Sequence, residues 1–164
     1  MSICAFTGYR PEKFPFGDNE ADPRCEELKQ KLFCEILRMT REGVSVFMSG
    51  MTRGADLWAA EAVLQIQNVK PSQKIELWAI IPYDRQSLAW NAKERARYQR
   101  ILEQAARVEY ISHDYYNGCL QKRNRYMIDH ATHLLAVYDG QSGETASIIR
   151  YARKKGLEIT IIEP

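Results

Sequence analysis

The sequence predicts an α/β protein in which helices cover both faces of a mainly parallel β-sheet. Strand-like and helix-like segments alternate from one end of the chain to the other. The strand-like segments are continuous apolar runs, as expected of strands buried on both faces, and the first five are each followed by a helical pattern. The length of 164 residues, with 45% hydrophobic and 27% charged residues, fits one domain spanning residues 1–164.

Hydrophobic periodicity places the individual elements along the chain. Apolar runs predict six strands, at residues 3–7, 44–48, 74–81, 108–112, 133–138 and 157–162. Apolar residues at helical spacing predict five helices between them, at residues 22–42, 55–67, 87–106, 119–131 and 145–155. Gly43 and Gly156 follow the first and last helices and supply their C-terminal stops.

The composition argues against several classes of function. A formal net charge of +2 is too small to predict nucleic-acid binding from bulk electrostatics. No apolar run approaches the length of a membrane span, and the N-terminal residues lack the pattern of a signal peptide. The four scattered cysteines favour reduced thiols in a cytoplasmic protein. Neither they nor the three histidines have the spacing of metal ligands, so we expect no metal site and no required cofactor.

The loop after the first strand is the first candidate ligand-binding segment. Ligands of parallel α/β sheets bind beyond the carboxyl ends of the strands, where the strand order reverses. Gly8, after Thr7, lets the chain turn sharply and lets a ligand approach the backbone. Arg10 is suited to paired hydrogen bonds with a phosphate or a carboxylate. An ordinary strand-ending turn with a solvated arginine explains the same residues equally well.

The loop after the second strand contains Ser49, Gly50 and Gly54 and leads directly into a helix. Glycines at this position expose backbone amides to an anion, and the helix dipole adds to the attraction. The loop is neither a Walker A motif nor a G-x-G-x-x-G fingerprint. Asp56, in the first helical turn, stabilises the helix but repels a phosphate, so it is a candidate acceptor for ribose hydroxyls.

The loop after the fifth strand resembles the second loop in its glycine content. Asp139, Gly140 and Gly143 precede Thr145, which is a candidate N-cap of the last helix. The two glycines predict a second phosphate-binding turn that faces the same crevice as the first.

The fourth helix and several carboxylates supply further candidates. Asn124 lies on the predicted buried stripe, where an amide needs a partner, and Arg123 is expected at the rim. A solvated basic face is the alternative for this helix. Asp56, Glu61 and Glu144 are weak catalytic candidates that would activate water or stabilise an oxocarbenium ion.

Five motifs, in order along nearly the whole chain, carry a family resemblance. They read FTGYRPEK at 6–13, SGMTRGADLWAAE at 49–61, RYQRIL at 97–102, RNRYMID at 123–129 and LLAVYDG at 134–140. With these motifs the chain resembles the YpsA-like branch of the SLOG superfamily, which also contains the DNA-processing protein DprA and the lonely guy proteins.

The resemblance implies a three-layer α/β/α Rossmann-like fold with about six strands, ordered 3-2-1-4-5 with a further strand at an edge. It also implies a sensor or regulator that binds a nucleotide or a nucleotide-derived molecule, such as an ADP-ribose-like ligand. The contact positions carried over by match are Thr7, Gly8, Arg10, Ser49, Gly50, Gly54, Asp56, Arg123, Asn124, Asp139, Gly140, Gly143 and Thr145.

Two departures from the superfamily pattern bear on activity. The last loop usually reads Gly-Gly-Thr, whereas residues 143–145 read Gly-Glu-Thr, so a negative charge stands beside the expected phosphate. The glutamates that follow this threonine in lonely guy phosphoribohydrolases are absent, since residues 146–148 read Ala-Ser-Ile. Non-catalytic binding is therefore favoured. Phosphoribohydrolase-type cleavage of nucleoside monophosphates and single-stranded nucleic-acid binding stay open, as does a homo-oligomer.

Overall fold

A six-stranded parallel sheet forms the centre of the computed structural model, which describes all residues from 1 to 164. The strands are Ser2–Thr7 (β1), Val44–Ser49 (β2), Glu76–Ile81 (β3), Arg107–Tyr110 (β4), His133–Val137 (β5) and Glu158–Ile162 (β6). The helices are Pro23–Arg41 (α1), Ala55–Val69 (α2), Ala92–Gln104 (α3), Cys119–Asp129 (α4) and Glu144–Lys154 (α5), with a short 3-10 turn at Pro11–Lys13. The alternation and the parallel sheet predicted from the sequence are confirmed.

The strand order is β4-β3-β2-β1-β5-β6, and every neighbouring pair is parallel. The expected order 3-2-1-4-5 is therefore wrong, because β4 pairs with β3 at the sheet edge and β5 pairs with β1. The physical reason lies in burial: β4 carries the charged Arg107 and Glu109 and is partly exposed, whereas β5 is almost entirely buried. The strand order thus reverses between β1 and β5, which is where a ligand crevice is expected.

The five helices form two layers around the sheet. Helices α1, α2 and α3 pack on one face, and α4 and α5 pack on the other. This division follows from right-handed crossovers, since the chain moves across the sheet in one direction up to β4 and then returns. None of the helices combines the length and the apolar character that crossing a membrane requires.

Aromatic packing fixes the long loop between β1 and α1 to the end of the sheet. Phe14 stacks on Phe16 with their ring centroids 5.0 Å apart. Trp58 of α2 lies 5.4 Å from the Phe14 ring and 6.3 Å from the Phe16 ring. All three side chains are buried, so this loop is part of the core and holds a defined position beside the carboxyl ends of the strands.

Two helix starts differ from the prediction. The helix expected at 87–106 begins at Ala92, since the side chain of Asn91 accepts a hydrogen bond from the Glu94 amide at 2.9 Å. Thr145 is not the N-cap of α5. Gly143 takes that position, and no side chain caps the helix.

Candidate ligand-binding site at the strand-order reversal

A hollow of about 300 Å³ opens beyond the carboxyl ends of β1 and β5. Its walls come from the loop after β1, the first turn of α2, the inner side of α4 and the first turn of α5. The residues that line it are Phe6, Thr7, Gly8, Tyr9, Arg10, Glu12, Lys13, Thr52, Asp56, Arg123, Asn124, Gln141, Ser142, Gly143, Glu144, Thr145 and Ile148.

The N-terminus of α5 presents unpaired backbone donors to this hollow. Gly143 has φ 144° and ψ −161°, a conformation that is essentially restricted to glycine. The first backbone bond of the helix runs from the Ser147 amide to the Gly143 carbonyl at 3.1 Å. The amides of Glu144, Thr145 and Ala146 therefore have no intrahelical acceptor, and the helix dipole favours an anion beside them.

Side chains of the β1 loop surround the mouth of the hollow with charges of both signs. Arg10 is exposed, and its Nη2 atom lies 4.0 Å from Oε2 of Glu144. Glu12 accepts a hydrogen bond from Nη2 of Arg53 at 2.8 Å. A hydrogen bond to its own backbone amide and the Arg53 guanidinium hold the pKa of Glu12 below its usual value. Lys13 adds a third cation to this rim.

A tyrosine joins the loops after β1 and β5. The Tyr9 hydroxyl donates to Oδ1 of Asp139, whose carboxylate also accepts the Gln141 amide at 3.1 Å. Burial and this hydrogen bond raise the pKa of Tyr9, and the same bond lowers the pKa of Asp139. Asp139 therefore positions the loop and does not line the hollow.

Asp56 is a buried carboxyl group on the wall of the hollow. Only 8% of the residue is exposed, and its Oδ1 atom has no hydrogen-bond partner. Burial raises the pKa of Asp56 to about 6, against the opposing effects of Arg123 and Thr52. The Oδ1 atom is closed to solvent, while the residue as a whole lines the hollow, so a ligand there meets a buried carboxyl group that accepts hydrogen bonds when ionised.

Arg123 lies in the interior, so the expected position at the rim is wrong. Its Nη1 atom donates to the carbonyl of Gly50 at 2.6 Å, and its Nε atom donates to Oδ1 of Asn124 at 2.8 Å. The buried stripe of α4 runs through Cys119, Arg123 and Met127 at a spacing of four residues. Burial lowers the pKa of Arg123, while Asp56 opposes that shift.

The glycines of the β2 loop make room for the protein's own groups. A Cβ atom on Gly50 would lie 2.5 Å from Nη1 of Arg123, and one on Gly54 would lie 2.5 Å from the Tyr9 carbonyl oxygen. Ser49 is fully buried, and its hydroxyl donates to the Asp56 carbonyl at 2.9 Å. The loop therefore braces the site from behind, with Gly50 and Gly54 packed against the protein's own groups.

Comparison with known proteins identifies the family. The model of the YspA SLOG family (YpsA) matches residues 4–164. The chain belongs to this family. UPF0398 proteins of Bacillus cereus (strain B4264) and Bacillus thuringiensis (strain Al Hakam) are each 33% identical to it over 160 residues, which cover 95% of this chain and 85% of the relative. The family resemblance predicted from the motifs is confirmed.

Two solved structures share the Rossmann-like fold of this SLOG family protein. DprA of Streptococcus pneumoniae aligns with a TM-score of 0.62 at 13% identity, over 99% of this chain and 51% of that one. DprA of Helicobacter pylori, whose structure is described for its single-stranded DNA binding mode, aligns with a TM-score of 0.66 at 19% identity, over 99% and 66%. The chain thus spans about half to two thirds of these DprA chains, and at these identities the likeness shows the fold.

The hollow of this SLOG family protein gathers most of the predicted site residues. Those that line it are Thr7, Gly8, Arg10, Asp56, Arg123, Asn124, Gly143 and Thr145, together with Glu144. Those that lie outside it are Ser49, Gly50, Gly54, Asp139 and Gly140. Glu61 is also remote, since its Oε2 atom pairs with Nε of Arg97 at 3.5 Å on the face covered by α1, α2 and α3.

Sequence reasoning missed several residues that line the hollow. They are Tyr9, Glu12, Lys13, Thr52, Gln141 and Ser142, with the apolar Phe6 and Ile148. Most of them lie within the glycine-bearing loops already singled out, so their chain positions were a usable signal. Which of their side chains face inward depends on how the β1 loop packs on Trp58, and no local pattern reveals that packing.

Proposed function

We propose that the hollow binds a nucleotide-derived ligand, with the phosphate at the N-terminus of α5 and the sugar hydroxyls toward Asp56. The observation that carries this proposal is that unpaired backbone donors and a buried carboxyl group line one hollow. The α5 amides can only donate, and the Asp56 carboxylate can only accept. A sugar phosphate suits both, since its phosphate oxygens accept and its hydroxyls donate.

The charges around the hollow support this assignment. Arg10 and Lys13 flank the α5 N-terminus. The contact of Arg10 with Glu144 spans 4.0 Å between two exposed side chains, and such pairs contribute less than about 1 kcal/mol. An incoming phosphate therefore displaces Glu144 from Arg10 at little cost. A volume of about 300 Å³ is at the lower end of the range for small-molecule sites.

The role we propose is that of a sensor or regulator, with N-glycosidic cleavage as the catalytic alternative. Asp56 and Glu144 line the hollow and keep that alternative open, whereas the third candidate, Glu61, is engaged with Arg97. The free cysteines fit a cytoplasmic location for this role.

Single-stranded nucleic acid is the second candidate ligand. The structural likeness to DprA of Helicobacter pylori favours it, as does the combination of cations and an aromatic ring beside the hollow. The guanidinium of Arg53 lies 5.9 Å from the Trp90 ring, and Arg10 and Arg53 line a neighbouring depression with that ring. Basic groups interleaved with aromatic rings are typical of single-strand binding surfaces.

Thermal unfolding of the full chain with a ligand panel tests these proposals. The panel contains the nucleoside 5′-monophosphates, ADP-ribose, ribose 5-phosphate, adenosine and a short oligothymidylate. A ligand at a hundred times its Kd raises the stability by about 2.7 kcal/mol. We expect phosphate-bearing members to raise the Tm and adenosine to have a much smaller effect. Free base released from a monophosphate would indicate the catalytic alternative.

A matched pair of arginine variants locates the binding. Arg10→Gln removes a cation from the rim of the hollow. Arg41→Gln removes an exposed cation from the last turn of α1, at the opposite end of the sheet, where the strands begin. We expect loss of affinity only with Arg10→Gln. No Tm shift with any phosphate-bearing ligand, or equal losses in both variants, contradicts the proposal. Binding of the oligonucleotide alone, with a steep salt dependence, supports the second candidate instead.

A further inference from the structure

A second hollow, of about 340 Å³, lies between α4 and α5 next to the first. The two hollows share the lining residues Asn124, Glu144 and Ile148, so they adjoin each other. The remaining residues that line the second hollow are Gln121, Arg125, Ile128, Ser147 and Tyr151. We infer that this second hollow is the nucleobase subsite of the same ligand, an inference that rests on the proposed function.

The chemistry of the second hollow differs from that of the first. The first hollow has the unpaired amides of a helix N-terminus, whereas the second lies along the sides of two helices, where backbone groups are already paired. Ile128, Ile148 and Tyr151 supply apolar surface here. A flat, weakly hydrated ring is therefore a better occupant of the second hollow than a phosphate, and a nucleotide carries one of each.

Tyr151 has the fixed orientation that a stacking platform needs. Its hydroxyl donates to Oδ1 of Asp129 at 2.7 Å, which joins α5 to the end of α4. The guanidinium of Arg125 lies 6.0 Å from the centre of its ring, and the ammonium group of Lys155 lies 5.4 Å from it. The ring is half-buried, is held at its hydroxyl end and lines the second hollow, which places it beside a planar base bound there.

Polar side chains near the contact between the two hollows have hydrogen-bond donors available to a ligand. Nε of Arg123 donates to Oδ1 of Asn124, and because a guanidinium cannot accept, the Asn124 amide must turn its NH₂ group away from it. Ser147 accepts a hydrogen bond from Nη2 of Arg150 at 3.0 Å, so its hydroxyl proton is free to donate. Asn124 lies where the two hollows adjoin and Ser147 lines the second hollow, so both donors are available to the acceptor atoms of a base edge there.

The junction also gives Glu144 a role. Its carboxylate lines both hollows, and the sugar of a nucleotide bridges a phosphate in the first and a base in the second. Sugar hydroxyls donate to carboxylates, as they do in dinucleotide sites. A glutamate at this position therefore suits a ligand with a sugar between its anionic and aromatic parts.

The test compares two ligands that differ only in the base. Nucleoside 5′-monophosphates and ribose 5-phosphate are titrated by calorimetry into the wild-type chain and into Tyr151→Ala and Tyr151→Phe. We expect Tyr151→Ala to weaken monophosphate binding roughly tenfold, since stacking on an aromatic ring is lost, and to leave ribose 5-phosphate unchanged. Tyr151→Phe keeps the ring, loses only the bond to Asp129, and should bind both ligands nearly as the wild type does.

A second variant covers the case in which Tyr151→Ala does not fold. Ser147 is exposed and lines only the second hollow, so Ser147→Tyr fills that hollow without disturbing the core. It should weaken monophosphate binding and spare ribose 5-phosphate. The inference is overturned if both ligands respond equally to either variant, or if an oligonucleotide binds and the monophosphates do not. If the wild-type chain binds neither ligand, the proposed function itself fails, which is a distinguishable outcome.

Discussion

Two loops at the carboxyl edge of the sheet each hold two glycines just before a helix, one after β2 and one after β5. In the first, a Cβ on Gly50 would lie against Arg123 and one on Gly54 would lie against the Tyr9 carbonyl. In the second, a Cβ on Gly140 or Gly143 would meet nothing within 4 Å. A glycine before a helix permits a close approach to the backbone, and whether protein or ligand makes that approach depends on the surrounding fold.

The helices that follow these loops differ in the hydrogen bonding of their first amides. At the start of α2, the Ala55 amide donates to the Tyr9 carbonyl at 3.2 Å, and Asp56 places a carboxyl group in the first turn. At the start of α5, as in α2, no side chain caps the helix and a carboxylate, that of Glu144, lies in the first turn, but none of the first three amides has a backbone acceptor. The β2 loop is therefore a structural support, and the β5 loop is the part of the edge that is available to an anion.

The largest loss of folding stability is expected from a methyl group at Gly50, in the β2 loop. Gly50→Ala pushes the buried Arg123 guanidinium away from its carbonyl acceptors, and overpacking together with a disrupted buried cation costs about 3 kcal/mol. Gly140→Ala, at φ +96° in open space, costs only backbone strain of about 1 kcal/mol. Urea unfolding measures both. Equal losses of stability in the two variants would contradict the conclusion that the β2 loop is packed against the protein and the β5 loop is open.

A smaller effect is expected from Asp56, whose pKa is raised by burial from 3.8 to about 6. The folded chain holds this proton more tightly than the unfolded chain, so the contribution of Asp56 to stability falls as the pH rises from about 4 to about 6. The shift corresponds to about 3 kcal/mol, and lost contacts with Thr52 reduce the gain on neutralisation to roughly 2 kcal/mol. Asp56→Asn should therefore be more stable than the wild type at pH 7.5.

The pH dependence and the ligand response check this expectation together. The advantage of Asp56→Asn should fall by about 3 kcal/mol toward pH 4, where the wild-type carboxyl group is protonated, so that the variant becomes about 1 kcal/mol less stable there. Other carboxylates titrate in both chains and cancel in the difference. The same variant should lose ligand-induced stabilisation if the carboxylate accepts a sugar hydroxyl. A difference that does not change with pH would show that Asp56 is not a buried, titrating group.

The smallest effect is expected at the rim of the open loop. Glu144→Gln removes a negative charge beside the α5 N-terminus and releases Arg10. Inorganic pyrophosphate should then bind about two- to threefold more tightly, because an exposed charge pair contributes only a fraction of a kcal/mol. Calorimetry at low and at high salt measures the change, and added salt should diminish it. Unchanged pyrophosphate affinity at low salt would mean that the anion does not bind at this helix end.

The site was predicted only in part because neighbouring positions in the chain do not show which way each side chain points. Thr7, Gly8, Arg10 and Thr145 were found from strand ends and glycines, and the structure brings them to one hollow. Arg123 was assigned to the rim because it stands one position from Asn124 on the predicted buried stripe, yet the carbonyls at the ends of β2 and β3 accept its hydrogen bonds. Partners that lie 73 and 43 residues away in the chain cannot be read from a local pattern.

The sequence by itself determined the alternation of strands and helices, the parallel sheet and the family, because these depend on hydrophobic periodicity and on short motifs. Only the tertiary structure decided that β4 lies at the edge and that β5 pairs with β1. It also decided that Arg123 occupies the space that Gly50 leaves, and that Asp56 and the uncapped start of α5 line the same hollow. The reason is physical: periodicity records which residues are buried, whereas only the packing of distant segments decides what each buried group meets.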